Sequence, residues 1–208
     1  MKLNIEEDYP IDFDMEYFKS LKDFRDGYRY CKSKLEEINK GSSRAVFYID
    51  EEKCLKLAIN EAGISQNKVE SDSFFKNSGI TAPVYDYDKN HYWLEMGLAR
   101  KAKFNDFKRI LGIHFDTINI FFNIHDIWGD DLSQLSSSNR KVYDMYYNRI
   151  MKVDFFNKII TEFINDYTLI PGDFGKMDTY GIFEIRGKDV IRLIDYGLTE
   201  KTYHDYYD

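Results

Sequence analysis

The chain has 208 residues, a formal charge of -7, and is 43% hydrophobic and 17% aromatic. That size suits one domain or two small lobes, and so much aromatic side chain supplies a sizeable core and excludes a globally disordered chain. The acidic balance makes nucleic acid an unlikely partner, and no apolar run approaches the ~18 residues needed to span a bilayer, so the expectation is a soluble cytoplasmic protein with no membrane partner.

The acidic start, MKLNIEEDYPIDFD, lacks the apolar core of a secretory signal. Tyr17, Phe18, Leu21 and Phe24 fall at helical spacings, so residues 1–30 read as a packed N-terminal helical extension. A first strand is expected to end within Lys34–Glu37. Asn39–Ser43 (NKGSS) is a turn signal, Ala45–Ile49 a β-rich run, Asp50–Glu52 a polar turn, and Cys54–Ile59 another strand-like run. This predicts an antiparallel meander. Cys31 and Cys54 are too few for a disulfide framework and read as free thiols of a reducing compartment. A helix is expected over Ile64–Lys76. Gly79 and Pro83 then break the chain, and Val84–Tyr87 and Tyr92–Met96 predict two strands around the turn Asp88–Asn90.

From Phe104 the pattern turns helical. Phe104, Phe107, Lys108 and Leu111 repeat at helical spacing before Gly112, and residues 115–128 carry many apolar positions. Ser133–Arg140 (SQLSSSNR) reads as a mobile loop or small insertion. Val153–Tyr167 is the clearest amphipathic helix, with Phe155, Phe156, Ile159, Ile160, Phe163 and Ile164 on one broad face. Thr168–Gly181 is rich in turn residues. Ile182–Ile185 and Val190–Ile194 predict a hairpin around Arg186–Asp189. The expected class is α+β in two lobes, with residues 31–98 strand-rich and residues 99–208 mainly helical.

Four features stand in a meaningful order: the turn Gly41-Ser42-Ser43-Arg44; Lys56 within an apolar strand; Glu70 on the helix that follows; and two acidic segments, Pro171-Gly172-Asp173 with Asp178 five residues on, then Leu193-Ile194-Asp195-Tyr196-Gly197. In this order the chain resembles the protein-kinase-like superfamily, and its aminoglycoside-phosphotransferase branch more than the eukaryotic protein kinases. The resemblance covers roughly residues 31–200. The segments KLAINEAGISQNKVE and LIDYGLTEKTYHDYY are similar to small kinase-like proteins of tailed bacteriophages, which would place the protein in the host cytoplasm.

The resemblance implies a two-lobed kinase-like fold with a strand-rich N-lobe and a minimal helical C-lobe. It implies ATP and Mg²⁺ as cofactors and a protein or small-molecule hydroxyl as acceptor. Lys56 would hold nucleotide phosphates as a point charge, oriented by an ion pair with Glu70; Glu61 competes for that role but lies too near the strand end. Gly41, Ser42 and Ser43 would approach the phosphates. Trp93–Leu98 (WLEMGL) would form the adenine edge, through Glu95 and Met96. Asp173 would serve the acceptor hydroxyl, and Asp178 and Asp195 would hold the metal, a hard cation that takes carboxylate oxygen.

The chain departs from the family pattern in three places. Asp178 stands where the family has Asn, Pro171 replaces a His, and only Gly41 remains of the glycine loop. A literal Asp-Phe-Gly at Asp173–Gly175 competes for the metal role, but it would make Asp154 the catalytic residue and leave Asp195 without one. Only 13 residues follow Asp195, which leaves little chain for an activation segment. A second expectation is therefore a catalytically inactive kinase-fold module that acts through protein–protein contact, and a third is an acidic structural or interaction protein whose kinase-like order is coincidental. Other chemistries find no support: His91, His114, His125 and His204 show no metal-ligand spacing, and neither a nucleophile elbow nor a Walker loop occurs.

Overall fold

A computed structural model describes residues 9, 10, 12–129 and 131–207. The chain is α+β with mostly antiparallel strands, and it divides into two compact units: residues 1–76 with 83–98, and residues 77–82 with 99–208.

In the first unit, two short helices precede the sheet. α1 (Met15–Ser20) starts at Asp14, whose carboxylate accepts the Tyr17 N–H, and α2 (Phe24–Lys34) starts at Asp23, which accepts from the Arg25 and Asp26 N–H groups. The single N-terminal helix expected from apolar spacing is thus two, because Asp23 caps a new helix after Leu21. α2 also occupies residues 31–34, so the first strand does not end within Lys34–Glu37. It begins there, as β1 (Glu37–Lys40), and it takes in Asn39, read above as part of the turn.

The remaining strands are β2 (Arg44–Tyr48), β3 (Lys53–Ala58), β4 (Val84–Tyr87) and β5 (Trp93–Gly97), in the antiparallel order β1-β2-β3-β5-β4. Register sets two faces, because side chains alternate along each strand. Ala45 faces Leu57, which faces Trp93; Phe47 faces Leu55, which faces Glu95. This face packs on Phe13, Met15, Phe18, Cys31 and Leu35 of the helical layer. Val46, Lys56 and Leu94 align on the opposite face, with Arg44, Cys54 and Met96 at the same parity.

α3 (Glu61–Glu70) lies on that second face. Asn60 caps it, accepting the Gly63 N–H at 3.0 Å, so the helix starts three residues earlier than Ile64. It stops at Glu70, and after Ser71 and Asp72 a separate α4 (Ser73–Asn77) follows. Gly63 is required by close approach: a Cβ there would lie 2.2 Å from the Ser43 carbonyl oxygen and 3.0 Å from the Ala58 Cα.

In the second unit, β6 (Arg100–Lys101), β7 (Tyr180–Ile185) and β8 (Lys188–Leu193) form an antiparallel sheet in chain order. The hairpin turn is two residues, Arg186 and Gly187, with φ of 53° and 73°. Two left-handed residues suit the twist of a tight hairpin, so β8 begins two residues earlier than its alternation predicts; it ends at Leu193, while β7 gains Tyr180 and Gly181 at its start.

α5 (Phe104–Leu111) ends at Gly112 with φ 74°, and α6 (Phe115–Trp128) and α7 (Ser137–Ile150) follow. The expected loop over Ser133–Arg140 is partly helical. A 3₁₀ turn spans Leu132–Gln134, and Ser136 caps α7 by accepting the Asn139 N–H. α8 (Asp154–Lys158) continues through a π-helical segment (Ile159–Ile164) into α9 (Asn165–Tyr167), which together fill the predicted amphipathic helix. Two 3₁₀ turns (Pro171–Gly175 and Met177–Thr179) lead into β7, and α10 (Glu200–Tyr206) follows β8. Phe107, Phe121, Phe122, Phe156, Phe163, Phe174 and Tyr180 form the aromatic interior. Among the described residues no helix is long and apolar enough to cross a membrane.

Candidate functional site

In the first unit the sheet and α3 bring three charged side chains together in the interior. The Lys56 ammonium donates to Glu70 Oε2 at 2.7 Å, and the Arg44 guanidinium meets Glu70 Oε1 at 2.9 Å. Glu70 is 0% exposed, Lys56 5% and Arg44 7%. Lys56 reaches Glu70 because position 56 has the parity of the α3 face, and Glu70 is aimed at the sheet from the last turn of α3. A carboxylate out of water costs several kcal/mol unless opposite charge meets it, and here two cations divide its oxygens. Lys56 and Glu70 are the pair expected from the sequence. Arg44 was missed, although it follows the glycine turn directly and shares the parity of Lys56.

The turn itself is tied down. The Gly41 N–H donates to the Arg44 carbonyl at 2.8 Å, the Ser42 carbonyl accepts from Asn60 Nδ2 at 3.0 Å, and the Ser43 carbonyl accepts the Ile59 N–H at 2.9 Å. A Cβ at Gly41 would meet only the Arg44 oxygen, at 3.9 Å, so no local crowding demands glycine.

Glu95 and Met96 separate across the sheet. Met96 is buried on the Lys56 face. Glu95 lies on the other, where its carboxylate accepts the Tyr9 hydroxyl at 2.7 Å. Burial holds the Glu95 carboxyl above its ordinary range, with the Tyr9 bond acting against the shift. β5 is flanked on both sides, by β3 and β4, and beyond its end the Leu98 N–H donates to the Glu52 carbonyl at 2.7 Å. Cys54, on the Lys56 face, is a free thiol that burial pushes up to about 11.

In the second unit Asp173 lies within the 3₁₀ turn Pro171–Gly175, partly buried, and accepts a 2.6 Å hydrogen bond from the Lys176 ammonium. Burial raises its carboxyl above the ordinary value; Lys176 opposes this, while Asp195 and Asp126 add to it. Lys176 is raised chiefly by its bond to Asp173.

The loop is held from several sides. Asp126 on α6 accepts the Gly172 N–H at 2.8 Å, Asn119 Nδ2 donates to the Gly175 carbonyl at 2.9 Å, and Thr179 Oγ1 donates to the Asp173 carbonyl at 2.7 Å. Gly172 has its own steric reason, since a Cβ there would lie 2.8 Å from Asp126 Oδ2. Asn119 and Asp126 are seven residues apart, two turns along α6, and so lie on one face of it. That spacing was the readable signal for both, and sequence reasoning missed it, as it missed Lys176.

Asp195 follows β8 as an exposed residue between half-buried Ile194, whose N–H donates to the Thr179 carbonyl at 2.8 Å, and buried Tyr196. Asp178 points to solvent with 78% of its side chain exposed, 3.3 Å from Lys101 Nζ. Among the described residues no group of three or more His, Cys, Asp or Glu side chains is placed to hold a metal ion, so Asp173, Asp178 and Asp195 do not form such a cage. Comparison with protein-family models, curated proteins and solved structures finds no match to the chain.

Proposed function

We propose that the chain is a kinase-like phosphotransferase of two lobes, which binds ATP with Mg²⁺ and transfers phosphate to a protein or small-molecule hydroxyl. The observation that carries this reading is the buried Lys56–Glu70 pair, 2.7 Å apart, on a central strand and the helix after it. A buried ion pair is a poor source of stability compared with apolar packing, whereas an ammonium fixed on a rigid strand is suited to hold phosphate oxygens. Asp173 supports the reading from the other unit. Its raised carboxyl moves toward the range of a group that accepts a proton near neutrality, and Lys176 fixes its orientation.

Mg²⁺ commonly takes one or two carboxylates and draws its other oxygens from phosphate and water. Asp195 is the residue proposed to supply a carboxylate, and the ion would neutralise phosphate charge. The exposed Asp178, paired with Lys101, does not fit a shared metal pair.

A second reading, an inactive kinase-fold module that acts through a protein partner, draws on that same Asp178 placement and on the glycine turn being bonded to Asn60 and Ile59. A thermal-shift titration with ATP and Mg²⁺, together with labelled-phosphate transfer to candidate acceptors, separates the two. The enzyme reading expects a melting shift lost in Lys56→Met and Asp195→Asn, and transfer lost in Asp173→Asn with the shift retained. A shift without transfer supports the partner-binding module. Neither shift nor product refutes the enzyme, and an active Asp195→Asn protein refutes the metal assignment.

A further inference from the structure

The last turn of α3, which carries Glu70, is gripped by the turn between β4 and β5. The Asn67 side chain is 1% exposed, and its Nδ2 donates to the His91 carbonyl at 3.0 Å and faces the Tyr92 carbonyl at 3.4 Å. Its Oδ1 lies 3.5 Å from the Arg44 guanidinium. One helical turn further on, buried Ser71 places its hydroxyl 3.1 Å from His91 Nδ1. Positions 67 and 71 stack on one helix face, and Glu70 projects from the neighbouring face toward the sheet.

His91 has φ 61°, a left-handed conformation that a residue with a side chain holds only when its surroundings impose it. Here the His91 N–H donates to the Asp88 carbonyl at 2.8 Å, while the carbonyl and ring both face α3. The Tyr92 carbonyl that faces Asn67 also accepts the Ala58 N–H at 2.8 Å, at the end of the strand that carries Lys56. A continuous set of contacts therefore runs from the β4–β5 turn through Asn67 to Arg44, Glu70 and Lys56.

We propose that Asn67 is a positioning residue, which anchors the last turn of α3 to the His91 turn and so holds Glu70 in register on Lys56 and Arg44. The anchoring is independent of any activity; its catalytic consequence rests on the phosphotransferase reading. Asn67→Leu keeps much of the volume and removes both functions of the amide. The direct readout is the Lys56 ammonium resonance in protein labelled with ¹⁵N-lysine, measured well below the melting temperature.

With Glu70 out of register, hydrogen exchange at Lys56 Nζ should rise at least about tenfold, since exchange reports local opening. Leu35→Ala, in the core on the opposite sheet face, is the control for lost stability alone and should leave the resonance unchanged. An unchanged Lys56 resonance in Asn67→Leu, or an equal change in Leu35→Ala at matched stability, overturns the proposal. Should Asn67→Leu not fold, Ser71→Ala combined with His91→Gly removes the second contact and must give a smaller rise of the same sign; no rise overturns it. Nucleotide turnover is the second arm: the proposal expects KM for ATP to rise more than kcat falls. A wild-type protein without turnover refutes the phosphotransferase reading and leaves the ammonium measurement to decide the anchoring.

Discussion

Glu70→Gln tests the buried triad directly. The substitution keeps size and shape but removes the charge that Lys56 and Arg44 share at 2.7 and 2.9 Å. One oxygen of the amide still accepts, while its NH₂ turns a donor toward the other cation. Breaking a buried ion pair from one side costs about 3–5 kcal/mol, and for a chain of this size that lowers Tm by about 6–20 °C. Urea unfolding followed by Trp fluorescence gives the free energy, and Trp93, on the opposite face of the same sheet, reports this unit. Lys56→Met in the Glu70→Gln background removes one of the two cations and lets the amide oxygen turn to Arg44. The double variant should therefore be more stable than the sum of the single changes by about 1–3 kcal/mol. A Glu70→Gln protein within about 1 kcal/mol of wild type, or a cycle with no coupling, would refute the assignment of the triad as a buried, charge-coupled unit.

Two helical glycines should respond with opposite sign. Gly63→Ala drives a Cβ into the Ser43 and Ala58 backbone and should cost about 1–3 kcal/mol or more, whereas Gly27→Ala in α2 meets nothing within 4 Å and should gain about 0.5–1 kcal/mol; denaturant midpoints decide both. Gly172→Ala displaces the Asp126 carboxylate from the Gly172 N–H and should cost about 1 kcal/mol, yet add almost nothing to Asp126→Ala, since both remove one bond. Burial, with Lys68 assisting and Asp88 opposing, lowers the His91 pKa from its ordinary 6.5. The folded state therefore favours neutral His91. Its contribution is fully present above the unfolded value and is lost as pH falls below about 6.5. Melting curves from pH 7.5 to 5 should show wild type losing more stability than His91→Asn, a residue that also tolerates positive φ; parallel curves would remove His91 as the cause.

Much of the local structure was legible because its causes are local. Alternation in Ala45–Ile49 and Cys54–Ile59 marks strands on which Lys56 must point away from Leu55 and Leu57, and Gly112 ends α5 where helical spacing stops. Parity also separates Glu95 from Met96, which sequence reasoning had grouped together. Three misplaced helix starts share one cause: Asp23, Asn60 and Ser136 each cap a helix, and their side chains, rather than apolar spacing, set where α2, α3 and α7 begin.

Other features were decided only by the tertiary structure. The chain alone determined that this is an α+β protein with a lysine on a strand and a glutamate on the helix after it. It did not determine that Arg44 takes the second oxygen of Glu70, that Asn67 ties α3 to His91, that Asp126 holds Gly172, or that Asp178 turns to solvent beside Lys101. Those contacts join residues that strand register and helix docking bring together across 24 to 77 positions in the chain. Periodicity and capping act over a few residues, and they carry no information about which distant side chain will satisfy a buried charge.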